Sequence, residues 1–148
     1  KNIFKLSQGE YVAPEKIEGV LVLSQFIAQC FVYGDSLQSS LIAIVVPDEA
    51  VVRGWAKTSG IGESSFGSLC GSNKLMDIIL NEIQQLSKAS GLQGFETVRA
   101  IRLETTPFSV ENGLMTPTFK LKRQQIRDRY EAEIAALYAK KPSRKSKL

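Results

Sequence analysis

Residues 27–48 read IAQCFVYGDSLQSSLIAIVVPD, and this stretch decides the fold class. Two apolar runs rich in β-branched residues, 27–33 and 41–46, flank a polar connection that begins with Gly34. Runs of this length, separated by turn-forming residues, predict an antiparallel pair of strands. Pro47 ends the second run, and Asp48 is a suitable N-cap for a following helix. The stretch therefore predicts the centre of a small sheet.

The flanking sequence predicts helices and a hairpin around that sheet. Residues 2–6 and 11–12 are typical of two short strands joined by a turn, and Pro14 suits the first turn of a helix whose dipole Glu15 and Glu18 complement. The other predicted elements are a surface loop at 60–71, a helix at 73–88, a strand at 97–103 and one last helix with Ile126, Tyr130, Ile134 and Leu137 on one face. We therefore predict an α+β fold: an N-terminal β-hairpin followed by a three-stranded sheet packed with helices.

The composition excludes several kinds of chemistry. The 148-residue chain has no histidine, so it lacks the commonest general base and metal ligand. Cys30 and Cys70 alone do not complete a zinc site, and we expect reduced thiols and no metal centre. Residues 62–66 lack the final glycine of a nucleophile elbow. No apolar run is long enough for a transmembrane segment.

The net charge of +4 is concentrated near the C-terminus, at residues 120–123 and 140–145. Basic runs of this kind usually form solvated surfaces, and no helix interleaves cations with aromatic residues. We therefore expect no nucleic-acid partner. A non-catalytic module that binds nucleic acid or an acidic protein remains the alternative interpretation.

The first functional signal lies in residues 1–18, KNIFKLSQGEYVAPEKIE. Taken alone, a tight turn around Gly9 is a routine surface hairpin. The segment nevertheless resembles a motif near the start of the C-terminal domain of adenylate-forming enzymes. The long-chain acyl-CoA synthetase version is most similar: K-L-x-x-G-E-Y-V, then a turn with Pro or Gly, then K-I/V-E.

The second signal lies in residues 111–123, ENGLMTPTFKLKR. Taken alone, Lys120 is one cation in a basic helix start. Many adenylate-forming enzymes have P-x-x-G-K here, and long-chain acyl-CoA synthetases replace that glycine by a larger residue, as Phe119 does. The two motifs occur in the family's order and at about its separation. The resemblance extends from Lys1 to about Tyr138.

The resemblance implies a two-step reaction. The family joins a fatty acid to AMP, using ATP and Mg²⁺, and then passes the acyl group to the thiol of coenzyme A. Lys120 is implied as the catalytic ammonium that stabilises phosphoryl charge in the first step. The domain then rotates and presents the hairpin, where Gly9 lets the backbone approach the pantetheine arm. The resemblance implies that Ser7, Gln8 and Glu10, beside Gly9, line the tunnel through which the pantetheine arm of coenzyme A enters.

The resemblance also implies a missing partner. The family's hinge reads Asp-Arg-Lys-Lys just before the hairpin, and Lys1 matches the last residue of that stretch. We expect the chain to begin inside a longer protein whose large N-terminal domain binds fatty acid, ATP and coenzyme A. We expect this part alone to be inactive and to bind no cofactor tightly. An aryl or short-chain acid substrate stays possible, because the absent domain selects the acid.

The chain ends in Ser146-Lys147-Leu148, which is a peroxisomal import signal at a free C-terminus. We therefore expect a peroxisomal protein and an import receptor as a partner. A chance match, or a natural terminus further along, is the alternative. The predicted organisation is a C-terminal lid domain at residues 1–139 and a disordered basic tail at 140–148.

Overall fold

The computed structural model describes residues 2–140, so Lys1 and the predicted tail from residue 141 onward lie outside the described residues. This part contains two small sheets and helices on both sides of the larger one. The elements in chain order are β1 (Phe4–Lys5), β2 (Tyr11–Val12), α1 (Pro14–Leu21), β3 (Ile27–Gly34), β4 (Leu41–Pro47), α2 (Glu49–Thr58), α3 (Phe66–Cys70), α4 (Asn73–Ala89), a 3₁₀ turn (Gly94–Glu96), β5 (Val98–Leu103), α5 (Arg123–Arg129) and α6 (Glu131–Ala139).

The central sheet has the strand order β3-β4-β5. β3 and β4 are antiparallel, as the sequence predicts, and Val32 lies opposite Ala43. β5 is the predicted third strand and runs parallel to β4, with Ala100 opposite Ile42. Two predictions, the antiparallel pair and the third strand, are therefore confirmed, and β3 is left as an edge strand.

Two hydrophobic cores lie on opposite faces of this sheet. Leu41, Ala43 and Val45 of β4 pack in the first core, together with buried residues of the hairpin, α1, α2, α3 and α4. Ile42 and the other alternate residues of β4 pack in the second core with α5 and α6. Every residue of β4 is buried because helices cover both faces, which explains an apolar run without alternation.

The hairpin packs closely on β3. Leu6 and Val12 are fully buried members of the first core. A β-carbon placed on Gly34 would lie 2.8 Å from Leu41 Cδ2 and 3.2 Å from Leu6 Cδ2, both shorter than an ordinary carbon–carbon contact. The absence of a side chain at Gly34 therefore lets the hairpin reach the sheet.

One buried carboxylate joins α1 to the 3₁₀ turn. Glu96 accepts a hydrogen bond from Gln93 N at 2.9 Å and from Lys16 Nζ at 3.0 Å. Burial by itself raises the pKa of Glu96, but these two donors outweigh it and lower the pKa below its usual value. The carboxylate is thus held in its ionised form.

The prediction of a surface loop at residues 60–71 is wrong in its second half. Residues 66–70 form the short helix α3, in which Ser68 N donates to Ser65 Oγ at 3.0 Å. Leu69 and Cys70 are buried in the first core. The segment is rich in glycine and serine, which led to the loop prediction, but Ser65 is an N-cap and Leu69 and Cys70 are an apolar pair. Burial of this pair outweighs the low helix propensity of the segment.

The single last helix predicted from the sequence is divided in two. α5 and α6 meet at Tyr130, whose φ of −108° and ψ of 25° interrupt the helical geometry. Ile126, Tyr130 and Ile134 are still buried in the second core, as predicted, whereas Leu137 is only half-buried. The apolar spacing crosses the interruption because Tyr130 N still donates to Ile126 O at 3.0 Å and Ile134 N to Tyr130 O at 2.8 Å, which keeps the four-residue spacing of a helix.

Among residues 2–140, no helix combines the length and the hydropathy that a bilayer crossing requires.

Candidate functional site

The turn of the hairpin projects away from the domain. Gly9 has φ of +100°, a left-handed conformation that favours glycine. Leu6 N donates to Glu10 O at 2.8 Å, and Gly9 N donates to Leu6 O at 2.9 Å, so the turn is well formed. A β-carbon on Gly9 would meet no atom within 4 Å. The open space at Gly9 therefore faces outward, where a ligand or another domain can approach the backbone.

The residues beside Gly9 attach the turn to the connection between β3 and β4. Ser7 N donates to Gln38 O at 3.0 Å, and Gln8 Nε2 donates to Ser39 O at 3.2 Å. Gln8 Nε2 also lies 2.6 Å from Glu10 Oε1. Ser7 and Gln8 are exposed and Glu10 is half-buried. The structure thus brings the four predicted hairpin residues together on one firmly attached turn.

Lys120 lies at the tip of a second projecting loop. Thr116 N donates to Lys120 O at 2.8 Å, and Phe119 N donates to Thr116 O at 2.8 Å. Lys120 N donates to Thr116 Oγ1 at 3.1 Å, so the backbone of the loop is closed on itself. The Lys120 side chain is exposed, and no carboxylate oxygen of residues 2–140 lies within 4 Å of its ammonium. Its charge is available to an anionic ligand.

The base of the Lys120 loop is rooted in the second core. Met115 and Leu121 form an isolated antiparallel bridge, and Lys122 N donates to Leu114 O at 2.9 Å. Leu114 is 3% exposed, and α5 begins directly after the loop with buried Ile126. The tip is therefore exposed while its base is fixed by packing.

Phe119 has an unusual backbone conformation for its size. Its φ is 65°, and among residues 2–140 it is the one non-glycine residue with positive φ. This conformation costs a residue with a side chain about 1–2 kcal/mol, which explains why related motifs have glycine here. The ring is 73% exposed, so packing within the domain compensates for little of that cost. The sequence alone shows the substitution but not the strained backbone.

The structure reveals an ion pair that the sequence patterns do not. Arg123 Nη2 lies 2.7 Å from Glu18 Oε1, and Arg123 Nη1 lies 2.9 Å from Glu18 Oε2. Glu18 Oε2 also accepts from Val32 N at 2.8 Å. Burial by itself lowers the pKa of Arg123, but the hydrogen bonds and charge of Glu18, with help from Glu15, raise it. Glu18 therefore holds a guanidinium 105 positions away, rather than acting only on its own helix dipole.

The cysteines do not offer a nucleophile at neutral pH. Cys30 and Cys70 are separate buried thiols. Burial raises the pKa of both, to about 11 for Cys70, so the reactive thiolate is scarce. No cluster of three or more potential metal ligands occurs among the described residues. The described residues therefore offer neither a reactive thiolate nor a cluster of metal ligands.

The fold and these two elements define a class of protein. The α+β domain has an exposed turn at Gly9 and a separate exposed loop at Lys120, and Lys120 has no carboxylate partner within residues 2–140. Residues 1–142 match the family model of the AMP-binding enzyme C-terminal domain. The chain belongs to this family, and the resemblance inferred from the motifs is confirmed.

Within this family, the chain is similar to enzymes named as long-chain acyl-CoA synthetases or ligases. The chain is 47% identical over 139 residues to "Long chain acyl-CoA synthetase 7, peroxisomal" of Arabidopsis thaliana, covering 94% of this chain and 20% of the relative. It is 49% identical over 139 residues to "Long-chain-fatty-acid--CoA ligase 6" of Homo sapiens, with the same two coverages. The chain therefore spans about a fifth of the length of these relatives. None of these findings supports the alternative of a separate binding module.

Solved structures show the same fold. The adenylation domain of a carboxylate reductase from Mycobacterium chelonae has a TM-score of 0.78 and 35% identity, covering 94% of this chain and 20% of that chain. A didomain of carboxylic acid reductase from Segniliparus rugosus, solved in complex with AMP, has a TM-score of 0.77 and 32% identity, covering 93% of this chain and 17% of that chain. The predicted fold class is confirmed.

Proposed function

We propose that the chain is the C-terminal lid domain of an ATP-dependent, AMP-forming long-chain fatty acid–CoA ligase. The observation that carries this proposal is the exposed Lys120 ammonium, which has no carboxylate partner in residues 2–140 and projects from a loop with a fixed base. The large N-terminal domain, which these residues do not include, is the first partner. It supplies the sites for fatty acid, ATP with Mg²⁺ and coenzyme A.

In the proposed first step, Lys120 stabilises charge. A carboxylate oxygen of the fatty acid bonds to the α-phosphorus of ATP, the bond from that phosphorus to the bridging oxygen breaks, and pyrophosphate leaves. Negative charge on the phosphoryl oxygens grows during this exchange, and a positioned ammonium lowers its energy. The exposure of Lys120 suits a residue that must enter another domain's active site and leave it again.

In the proposed second step, the hairpin turn faces the active site. The thiol of coenzyme A attacks the acyl carbonyl, loses its proton and displaces AMP. A β-carbon at Gly9 would meet no atom within 4 Å, and this open space leaves room for a pantetheine arm close to the backbone. Ser7, Gln8 and Glu10 flank this path. The bonds of Ser7 and Gln8 to the β3–β4 connection keep the turn from folding into this path.

We also propose a peroxisomal location, with an import receptor as a partner. If Leu148 carries the protein's terminal carboxylate, the Ser146-Lys147-Leu148 tripeptide is a receptor-read signal. Two Arabidopsis thaliana relatives, 47% and 44% identical, are named peroxisomal, which supports the proposal. In this organisation the lid domain covers residues 1–139, and residues 140–148 form the basic tail that carries the signal.

The test separates the two half-reactions in a chimaera. Residues 1–148 are placed behind the large domain of the human ligase 6, a relative 49% identical in this region. Lys120→Ala is compared with Lys57→Ala, an exposed lysine on α2. Gly9→Leu is compared with Gly60→Leu, because Gly60 also has positive φ, +74°, and an open β-carbon position. The control pair reproduces the loss of charge and the backbone strain away from the proposed site.

We expect Lys120→Ala to slow acyl-AMP formation by about 100–1,000-fold, the range for loss of one charge-stabilising group. Gly9→Leu should retain acyl-AMP formation and lose most transfer to coenzyme A. Lys57→Ala and Gly60→Leu should keep both half-reactions, and the 148-residue chain alone should perform neither. If Lys120→Ala and Gly9→Leu both keep both half-reactions, the proposed roles are wrong.

A further inference from the structure

The two projecting elements are rooted on opposite faces of the central sheet. The hairpin that carries Gly9 packs in the first core through Leu6 and Val12. The Lys120 loop is rooted in the second core through Leu114. The strands separate these cores, so packing within either core cannot by itself relate one element to the other.

The Glu18–Arg123 pair joins the two faces around the free edge of β3. Glu18 lies on α1, which follows the hairpin, and Arg123 begins α5, three residues after Lys120. The same carboxylate accepts from Val32 N, a donor of the edge strand β3. The connection therefore runs from the hairpin's helix, across the sheet edge, to the base of the lysine loop.

This ion pair differs from an ordinary surface pair in geometry and shielding. It is bidentate, and its side chains are 12% and 15% exposed for Glu18 and Arg123. The Arg123 guanidinium also lies 5.9 Å from the centre of the Phe31 ring, within range of a cation–π interaction. By contrast, the pair of Arg53 and Glu49 on α2 is 48% and 54% exposed. Shielded bidentate pairs fix orientation, whereas exposed pairs contribute little.

Building on the proposed function, we propose that Arg123 is a positioning residue that sets the place of the Lys120 ammonium for acyl-AMP formation. Lys120 has no carboxylate partner in residues 2–140, so the base of its loop determines where its charge lies. Arg123 orients that base against α1. The hairpin turn has its own attachments, to Gln38 O and Ser39 O, and Arg123 makes no hydrogen bond to residues 7–10.

The test is Arg123→Lys in the chimaera, which keeps the charge but loses the second parallel hydrogen bond. A displacement of about 1 Å at a reacting group can reduce the rate about 100-fold, and we expect kcat for acyl-AMP formation to fall about 10–100-fold. KM for ATP and fatty acid should stay unchanged, since the large domain binds both. Transfer of a preformed acyl-AMP to coenzyme A should keep its rate. Arg53→Lys is the matched control and should behave as wild type.

A second variant, Glu18→Gln, tests whether the slower acyl-AMP formation results from loss of the Glu18–Arg123 pair. Glu18→Gln should give the same selective loss, and the double variant should be no slower than the worse single variant, because both changes weaken the same Glu18–Arg123 pair. Thermal melting checks that each variant is folded. If Arg123→Lys does not fold, Glu18→Gln provides the test with the same criteria.

Three results would overturn the positioning role. A folded Arg123→Lys variant with wild-type acyl-AMP formation contradicts it, provided that Lys120→Ala is impaired in the same assay. Equal losses in both half-reactions, or raised KM values, indicate a general structural role instead. Additive losses in the double variant show that the two residues act separately. If Lys120→Ala itself is unimpaired, the proposed function fails, which is a distinct outcome.

Discussion

Replacing Gly34 by alanine tests the close approach between the hairpin and the sheet. The new β-carbon would lie 2.8 Å from Leu41 Cδ2, 3.2 Å from Leu6 Cδ2 and 3.3 Å from Phe4 Cδ2. Favourable carbon–carbon contacts lie near about 3.5–4.0 Å, so at least one neighbour must move. Leu41 is fully buried and cannot turn toward solvent. The hairpin must therefore shift, or the core must accept strain.

The expected cost follows from two opposing effects. An added methyl group in a well-packed core costs typically about 1–3 kcal/mol. Glycine-to-alanine substitution also reduces the conformational freedom of the unfolded chain, which stabilises the folded protein by about 0.4–1 kcal/mol. The net destabilisation of Gly34→Ala should be roughly 1–2 kcal/mol, because the first effect is the larger one.

Urea unfolding of the 148-residue chain measures this change. With a slope of about 2 kcal/mol/M, the middle of the usual range, the midpoint should fall by roughly 0.5–1 M. Gly19→Ala on α1 is the matched control: its β-carbon would meet no atom within 4 Å, and it should gain about 0.5–1 kcal/mol. Leu41→Val should cost less in the Gly34→Ala background than in wild type. A Gly34→Ala midpoint at or above that of wild type would refute the reasoning.

Three further substitutions test individual contacts. Asp48→Ala removes the acceptor that Val51 N contacts at 3.1 Å and should cost about 1 kcal/mol in urea unfolding. Tyr138→Phe removes the hydroxyl that donates to Ser40 O at 2.9 Å and should cost about 0.5–1.5 kcal/mol by the same assay. Glu96 has a folded pKa below its unfolded value of 4.5, so its stabilisation is full above that pH and is lost as the pH falls through the folded pKa. Unfolding measured across this range should show the gap between wild type and Glu96→Gln closing in acid.

Each of these predictions has a result that contradicts it. A neutral Asp48→Ala would mean that water replaces the cap without cost. An unchanged Tyr138→Phe would mean that the hydroxyl bonds contribute nothing net. A gap between wild type and Glu96→Gln that stays constant below pH 4.5 would mean that the carboxylate pKa is not lowered by folding.

Most of the architecture could be predicted because the spacing of apolar and turn-forming residues indicates each strand and helix locally. The runs at 27–33 and 41–46, the helix at 73–88 and the strand at 97–103 all occur within two residues of their predicted bounds. The two wrong predictions, at residues 66–70 and at Tyr130, concern features that local patterns do not show. Residues 66–70 combine glycine and serine with an apolar pair whose burial depends on the rest of the chain, and the interruption at Tyr130 leaves no mark on the apolar spacing.

The candidate site divides in the same way. Gly9 and Lys120 could be identified as candidate site residues because each lies in a motif of consecutive residues, at 1–18 and at 111–123. Their geometry could not be predicted. The sequence gives no sign that Phe119 has φ of 65°. The lack of a carboxylate partner for Lys120 within residues 2–140 depends on every surrounding element. The roles of both residues stay predictions until the chimaera is assayed.

The sequence by itself determined the α+β class, the two motifs that mark the family, and the order of the strands and helices except for α3 and the division of the last helix. These features depend on residues a few positions apart, whose periodicity and turn chemistry act locally. Only the tertiary structure decided that the hairpin and the lysine loop root in opposite cores, and that Glu18 reaches Arg123 across the edge of β3. That pairing joins positions 105 residues apart, so it exists only when the sheet has formed and brought the middle of α1 and the start of α5 to the same edge.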